Sequence, residues 1–523
     1  PPPPAVPMKH TLLALAIGSA LAASSVSAQA GLLDSATKAW TYVHSATNGS
    51  TSGFLSEIVT YDKAQNQLWV SGVTGVDVLN ASTGSRLGHI DISSFGSVNS
   101  VAISNGVAAL AIESTNRTGP GIVQLYDTTT RSLLSGTNTI TVGALPDMLT
   151  FTPDGSRLLV ANEASPSTYG ALTSATGTFP RSYGASSTDP VGSVSIINMN
   201  TRSVVATANP NTAPRTGSNI RTNTGMDFEP EYIAVNAAGT QAYVSLQEAN
   251  AMGVLDIASG TFSKVIGLGL KDFSLPGNRM DPLNNGVINL IAPAVKGLYM
   301  PDGMATFTAN GQTFIAMANE GDYREDDGDR SAASALGAAS PLNNLRVSNT
   351  DSSTGNLIAA GGRSFSIRDA DGNLVYDSGE ILDREAAALG IYDDARSRDK
   401  GVEPEGMEVM TINGRTVAFV GLERTTKSAV AAFDITDPAN SVYLTMLTSD
   451  GEKAPEGLKG YEHDGKYYLA WSSEGDSNIA GTGNRTTVFE LASVNAAVPE
   501  PETYALMLAG AGVLGAMARR RKA

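Results

Sequence analysis

Apolar residues in this chain come in short runs broken by polar turns, and no helical period carries across a long window. Residues 301–323, PDGMATFTANGQTFIAMANEGDY, form the clearest unit. Residues 304–307 are one β-prone run, Asn310-Gly311 is a hairpin turn, and residues 314–318 are a second run that ends on Asn319-Glu320. The unit carries an acid at each end, Asp302 and Glu320.

The same order returns at Pro146-Asp147, Asp154-Gly155 and Asn162-Glu163, and again at Pro230-Glu231, Gly239 and Gln247-Glu248. It recurs at Pro404-Glu405, Asn413-Gly414 and Leu422-Glu423, then at Pro455-Glu456, Asp464-Gly465 and Ser473-Glu474. Two weaker copies lie upstream: Glu57 leading through Tyr61-Asp62 to residues 68–70, and Asn99 with Asn105-Gly106 and Glu113. Most copies are followed by another apolar strand, at 123–126, 194–197, 252–255, 430–433 and 488–491. Seven hairpins of this kind predict an all-β fold with radial repetition of small sheets, a seven-bladed β-propeller. Residues 39–44 would complete the last blade and close the ring, which otherwise leaves an edge strand exposed.

The polar segments 164–189 and 201–227 read as surface insertions. A longer insertion, residues 324–402, separates blades five and six. It is expected to be a small subdomain or lid, with its own hairpin (363–367 and 374–376 around the turn 369–373) and a short helix over 383–389.

Composition adds few constraints. A propeller with insertions uses most of the 523 residues, so the repeat count outweighs a length-based expectation of several domains. The absence of cysteine excludes disulfides, thiolate metal sites and a cysteine nucleophile. Beyond the first 30 residues the histidines are His44, His89 and His463, too scattered to suggest a histidine zinc site, and there is no G-x-S-x-G elbow or Walker loop.

The two ends carry targeting patterns. Met8-Lys9-His10, the apolar residues 12–23 and Ala28-Gln29-Ala30 read as a secretory signal over 8–30, ahead of a body spanning 31–495. At the other end, Pro499-Glu500-Pro501-Glu502 precedes the apolar stretch 504–518 and then Arg519-Arg520-Arg521-Lys522. An apolar helix of that length is short for a bilayer but suits transient membrane anchoring, with the basic cluster on the cytoplasmic side. Residues 496–523 thereby resemble a PEP-CTERM sorting segment. That resemblance implies recognition by exosortase and export from a Gram-negative bacterium to the cell surface, an outer-membrane association or the extracellular matrix.

Once Lys9, the four basic tail residues, Glu500 and Glu502 are set aside, 30 basic and 49 acidic residues remain, and the formal charge moves from −16 to −19. So acidic a body disfavours nucleic acid as a partner and favours cations.

The body also resembles the choice-of-anchor I family. The likeness is carried by Ser56-Glu57-Ile58-Val59, Val98-Asn99-Ser100-Val101, GALPD at 143–147, FEPEY at 228–232, Lys296-Gly297, ANEGD at 318–322, GRSFSI at 362–367 and KGVEPEG at 400–406. Members are propellers on varied surface anchors, and some similar sequences carry an alkaline phosphatase label. No residue role comes with that label.

In a propeller the two acids of each hairpin fall at the same end of the blade, because strand one starts where antiparallel strand two ends. The first set is Glu57, Asp147, Glu231, Asp302, Glu405 and Glu456; the second is Glu113, Glu163, Glu248, Glu320, Glu423 and Glu474, with Asp322 nearby. Two carboxylates about 7 Å apart repel by about 2 kcal/mol at an effective dielectric of 20, so such a ring calls for cations, basic partners or proton uptake. Ca²⁺, a hard oxygen-seeking ion, suits it best. In the plainer alternative each acid accepts backbone N–H bonds or pairs with Arg324, Lys400 or Arg424.

Asp369, Asp371, Asn373 and Glu380 have EF-hand-like spacing, but Leu374 stands where that loop needs glycine, which favours a β-turn. Two functions follow. One is an extracellular binding protein with a Ca²⁺-lined face, whose partner is an exopolysaccharide or another matrix component. The other is a Ca²⁺-dependent phosphomonoesterase acting on a phosphorylated small molecule, in which Asp302, Glu320, Asp322, Glu405 and Glu423 hold metal and Arg324 or Arg424 clamps phosphate.

Overall fold

The computed structural model describes residues 31–45, 54–167, 188–221, 228–324, 326–475 and 482–494. The signal-like segment 8–30, most of the polar segment 164–189 and the tail from 496 onward lie outside the described residues. Within the described residues, no helix is long and apolar enough to cross a membrane.

The chain is all-β and propeller-like, a series of small sheets whose strands pair mostly antiparallel and mostly in chain order. Ser56–Asp62, Gln67–Gly72, Gly75–Asn80 and Arg86–Asp91 form the first, and Gly96–Ser104, Val107–Ser114, Pro120–Asp127 and Thr139–Ala144 the next. The sheets that follow open on Pro146–Phe151, Ile233–Val235, Met304–Ala309, Pro404–Ile412 and Pro455–His463. The first strand of each sheet packs beside the first strand of the next, and Pro455–His463 returns to pack on Ser56–Asp62.

Each sheet is sandwiched between two others, which explains the apolar pattern of the inner strands. Gln67–Gly72 is buried at every position, where a half-exposed strand would alternate. The core therefore consists of separate apolar layers between successive sheets. One holds Trp69, Val76, Val101 and Leu110; another holds Val417, Phe419, Leu469 and Trp471.

Two expectations about insertions need correction. Ser364–Asp369 and Leu374–Asp377 are not a separate hairpin, because Ser364–Asp369 pairs with Gln312–Asn319 and continues the sheet begun by Met304–Ala309. The inserted segment therefore ends before 364. Its satellite core, with Phe273, Met280, Leu345 and Val347, also draws on residues 270–298. The expected helix is present as Ile381–Ala388. The segment 201–227 is also more than a polar loop: Ser203–Ala208 is the fourth strand of its sheet, and Arg215–Ser218 pairs in parallel with Thr261–Leu268. Solvent exposure, on alternate residues of the first strand and on all four of the second, leaves neither with a continuous buried face.

The strand expected over 39–44 is present as Thr37–Val43 and pairs with Arg485–Ser493, so the two ends of the described chain share one sheet. His44 fastens that joint. Its Nδ1–H donates to Asp77 Oδ2 at 2.8 Å, its Nε2 accepts from the Thr486 hydroxyl at 2.8 Å, and its ring stacks on Phe54 with centroids 4.6 Å apart. Asp77 also accepts from His89 Nδ1 at 2.9 Å and pairs with Arg86 Nε at 3.1 Å, while Tyr42 stands edge-on to His44. Burial would raise the Asp77 pKa, but the bonds from His44 and His89 and the Arg86 charge bring it down to about 2. Burial lowers that of His44, outweighing Asp77.

Both shifts act in one direction. The unfolded chain takes up a proton at His44 as pH falls below about 6.5, and at Asp77 between about 3.9 and 2, so acid weakens the joint. Asp77→Asn is expected to lower the unfolding free energy at pH 7 by about 3 kcal/mol, read by urea titration. His44 contributes a loss of stability between pH 7 and 5, so over that range wild type should lose more stability, or gain less, than His44→Gln; equal slopes would reject the latch.

Candidate functional site

A repeated local device delivers the acids to one end of the sheets. Leu55, Leu145, Met300, Glu403 and Ala454, each two residues ahead of a first-set acid, adopt positive φ of 45° to 53°. In four sheets the ladder then slips over the acid, between Ser56 and Val59, Pro146 and Leu149, Pro404 and Met407, and Pro455 and Leu458. Such a bulge re-aims a side chain away from the regular pleat. Serine hydroxyls take up amides beside the acids, with Ile58 N–H on Ser71 Oγ at 3.0 Å and Tyr232 N–H on Ser245 Oγ at 2.7 Å. The second-set acids are tied to the same corner: Glu163 N–H donates to Leu145 O, Glu423 N–H to Glu403 O and Glu474 N–H to Ala454 O, at 2.9 to 3.0 Å.

The acids meet in two adjoining cavities. One, of about 310 Å³, is lined by Glu57, Glu113, Asp147, Glu163, Asp302, Glu405, Glu456 and Glu474. The other, of about 360 Å³, shares Asp147, Glu163, Asp302, Glu405 and Glu456 and adds Glu231, Glu248, Glu320, Asp322 and Glu423. Every carboxylate singled out from the repeats thus faces the same region.

They do not converge equally. Asp302, Glu405 and Glu456 each offer an oxygen within 4.8 Å of the other two. These three are each followed by glycine, whereas Glu57, Asp147 and Glu231 are followed by Ile58, Met148 and Tyr232. The glycines allow neighbouring first strands to touch. A Cβ on Gly303 would lie 2.3 Å from Glu405 O, one on Gly406 2.1 Å from Glu456 O, and one on Gly457 2.7 Å from Glu57 O. The sequence signal, P-[DE]-G against P-[DE] followed by a bulky residue, was visible but went unread.

The electrostatics split the ring in two. Among the described residues, Asp302, Glu405 and Glu456 form no ion pair. Burial first, and the surrounding carboxylates second, push all three well above the ordinary carboxylate range. The same two causes raise Glu57 and Glu231, and they hold Glu248 at about 8. Glu231 and Glu248 are each 8% exposed and keep an Oε2 that no hydrogen bond reaches.

The other half brings its own cations. Glu320, Glu403 and Glu423 form a second close group of three acids. Lys400 Nζ lies 3.0 Å from Glu320 Oε1 and 3.1 Å from both Asp322 Oδ1 and Glu403 Oε2. Arg396 Nε meets Glu403 at 2.6 Å and Arg424 meets Glu423 at 2.5 Å. Burial opposes ionisation of Glu403, yet Lys400 and Arg396 outweigh it and hold its carboxyl below the ordinary value. Glu403 was missed from sequence because it precedes the proline that opens the repeat unit.

Two residues considered as phosphate clamps part company. Arg324 is buried, bound to Asp189 at 2.6 Å and to Glu229 at 2.8 Å, and does not itself line either cavity, although its charge favours the ionised forms of Glu163 and Glu248. Arg424 lines the acidic cavity and its side chain is 39% exposed. The EF-hand-like spacing is a β-turn: Asp369 accepts the amides of Asp371 and Asn373, while Asp371 pairs with Lys264 and Glu380 with Arg279.

The choice-of-anchor I domain family model matches residues 57–438, and that of the PEP-CTERM protein-sorting motif matches residues 497–522. No curated protein matches the chain. Among solved structures, the chain is similar to the Kuenenia stuttgartiensis hydrazine synthase at 12% identity and a TM-score of 0.49, over 87% of this chain and 100% of that one. It is also similar to a chain of the mitotic checkpoint complex at 10% identity and a TM-score of 0.47, over 87% and 95%. At these scores neither likeness bears on function.

Arg324→Met is expected to cost about 3 kcal/mol of stability, because two buried carboxylates lose their counter-ion. Urea titration reads the loss. An unchanged midpoint would return Arg324 to the list of ligand-binding groups.

Proposed function

The chain belongs to the choice-of-anchor I domain family, and on that premise we propose that it is a surface-sorted extracellular protein whose acidic channel mouth binds a divalent cation, Ca²⁺ by preference. Its C-terminal PEP-CTERM motif is the sorting signal recognised by exosortase, which accounts for export. The fold that carries the site is read as a seven-bladed propeller whose fifth blade is interrupted between its second and third strands. That reading rests on the cyclic contact of first strands and on the strand at Thr37–Val43 that joins the last sheet.

One observation carries the cation: the oxygens of Asp302, Glu405 and Glu456 lie within 4.8 Å of one another. Ca²⁺ with oxygens at about 2.4 Å spans a gap of about that size, and it requires a hard, anionic donor set. Glu57, Glu231 and the channel water would supply the remaining ligands. A cation there offsets repulsion at a trio with which no basic side chain of the described residues forms an ion pair. In this role the bound ion links the protein to an anionic matrix polymer such as an exopolysaccharide, as a fixed charge on a rigid face.

A second reading, a Ca²⁺-dependent phosphomonoesterase, draws support from Arg424, which borders the acidic cavity with its side chain 39% exposed. Turnover of p-nitrophenyl phosphate that requires Ca²⁺ and disappears with EGTA would favour it, whereas no metal-dependent turnover between pH 6 and 10 leaves the binding role.

Calcium at about 100 times its Kd is expected to raise the unfolding free energy by about 2.7 kcal/mol. Thermal melts with Ca²⁺ and with EGTA test this. The shift should vanish in Glu456→Gln, and a wild-type melting temperature indifferent to Ca²⁺ removes the cation from the proposal. Deleting residues 497–522 should leave the protein out of the surface fraction, followed by immunoblot of fractionated cells.

A further inference from the structure

The two close groups of three acids at the channel mouth are chemically alike, yet only one is open. At Asp302, Glu405 and Glu456, each half-buried, the described residues place no lysine or arginine in contact. At Glu320, Glu403 and Glu423, all buried, an ammonium already sits among the carboxylates. Lys400 Nζ has oxygens of Glu320, Asp322 and Glu403 at 3.0 to 3.1 Å and a side chain 5% exposed, while Glu423, the third acid of the group, is held by Arg424 at 2.5 Å. Those distances are ion-pair lengths, hydrogen-bonded at Glu320 and Asp322 and about 0.6 Å longer than Ca–O bonds, so an ammonium and a metal ion compete for the same small volume.

The walls of the shared cavity point the same way. Glu231 and Glu248, each 8% exposed, keep an Oε2 without a hydrogen-bond partner, and both line the cavity that Lys400 enters. Donor capacity there exceeds what the protein's own bases use. Lysine suits the filling role better than arginine would, since its charge is a compact point on a flexible stem.

The structure assigns to Lys400 the role of a tethered cation. Its ammonium fills the Glu320–Glu403–Glu423 group, the face takes a single divalent cation at Asp302–Glu405–Glu456, and removing the ammonium opens a second divalent-cation site. The single-ion part rests on the cation-binding reading above; the tethered-cation part does not. A face with one metal lacks the paired ions that clamp both the attacking and the leaving oxygen of a phosphoester, so any anionic ligand meets one ion and the Arg424 guanidinium.

Equilibrium dialysis of the full chain against Ca²⁺ at pH 7.5 counts the ions. Wild type is expected to bind one per chain, Lys400→Met two, Glu423→Gln one with unchanged affinity, and Glu456→Gln none. Two ions on wild type, or no extra ion on Lys400→Met, would overturn the inference. If wild type binds none while Lys400→Met binds one, the tethered cation stands and the proposed function fails. Should Lys400→Met not fold, Glu423→Gln decides: an unchanged count supports the filled site, and loss of a bound ion shows that the group already held metal.

Discussion

Repulsion among carboxylates gathered at one end of the channel is the constraint to which the rest of the site answers. The fold packs the first strands of successive main sheets side by side, and all of these except Gly96–Ser104 open on or beside an acid. Burial withdraws water from these groups, so each charge raises the cost of its neighbours. The protein meets the problem in two ways. One half of the ring is neutralised by Lys400, Arg396 and Arg424, whereas Asp302, Glu405 and Glu456 form no ion pair among the described residues.

Backbone geometry decides how severe the crowding becomes. The left-handed residues ahead of the acids and the bulges at the acids are local departures from regular strand structure, repeated from sheet to sheet. Strain of this kind persists only where surrounding structure over-determines it. The apolar layers between sheets supply that support, since inner strands such as Gln67–Gly72 are buried on both faces. Glycine after three of the acids then removes the last steric barrier between adjacent strands. Where Ile58, Met148 or Tyr232 follows instead, the side chain occupies the channel and the acids stand further apart.

Much of the fold was legible because it is written locally. Asn-Gly and Asp-Gly turns between short apolar runs define hairpins, and the recurrence of Pro-acid at their starts defines the repeat. The same rule placed the acids at one end, since the ends of antiparallel neighbours coincide. The strands at Ser203–Ala208 and Arg215–Ser218 are hard to read for different reasons: SVVATA is a short run inside a segment otherwise rich in polar residues and proline, and RTGS has no apolar side chain. The pairing of Ser364–Asp369 with Gln312–Asn319 escaped for another reason: the 44 residues between these two strands hide the continuity of the sheet.

By itself, the sequence determined the strand pattern, the acids that recur with it and the sorting signal at the C-terminus, because each is a matter of neighbouring residues and their spacing. Only the tertiary structure decided which acids meet, that Lys400 rather than Arg324 enters the cavity, and that Glu403 joins the second group. Those outcomes depend on distances across the ring between residues up to 154 positions apart, as for Asp302 and Glu456. They turn on whether a Cβ fits between two backbones and on where a long basic side chain ends, and spacing along the chain encodes neither.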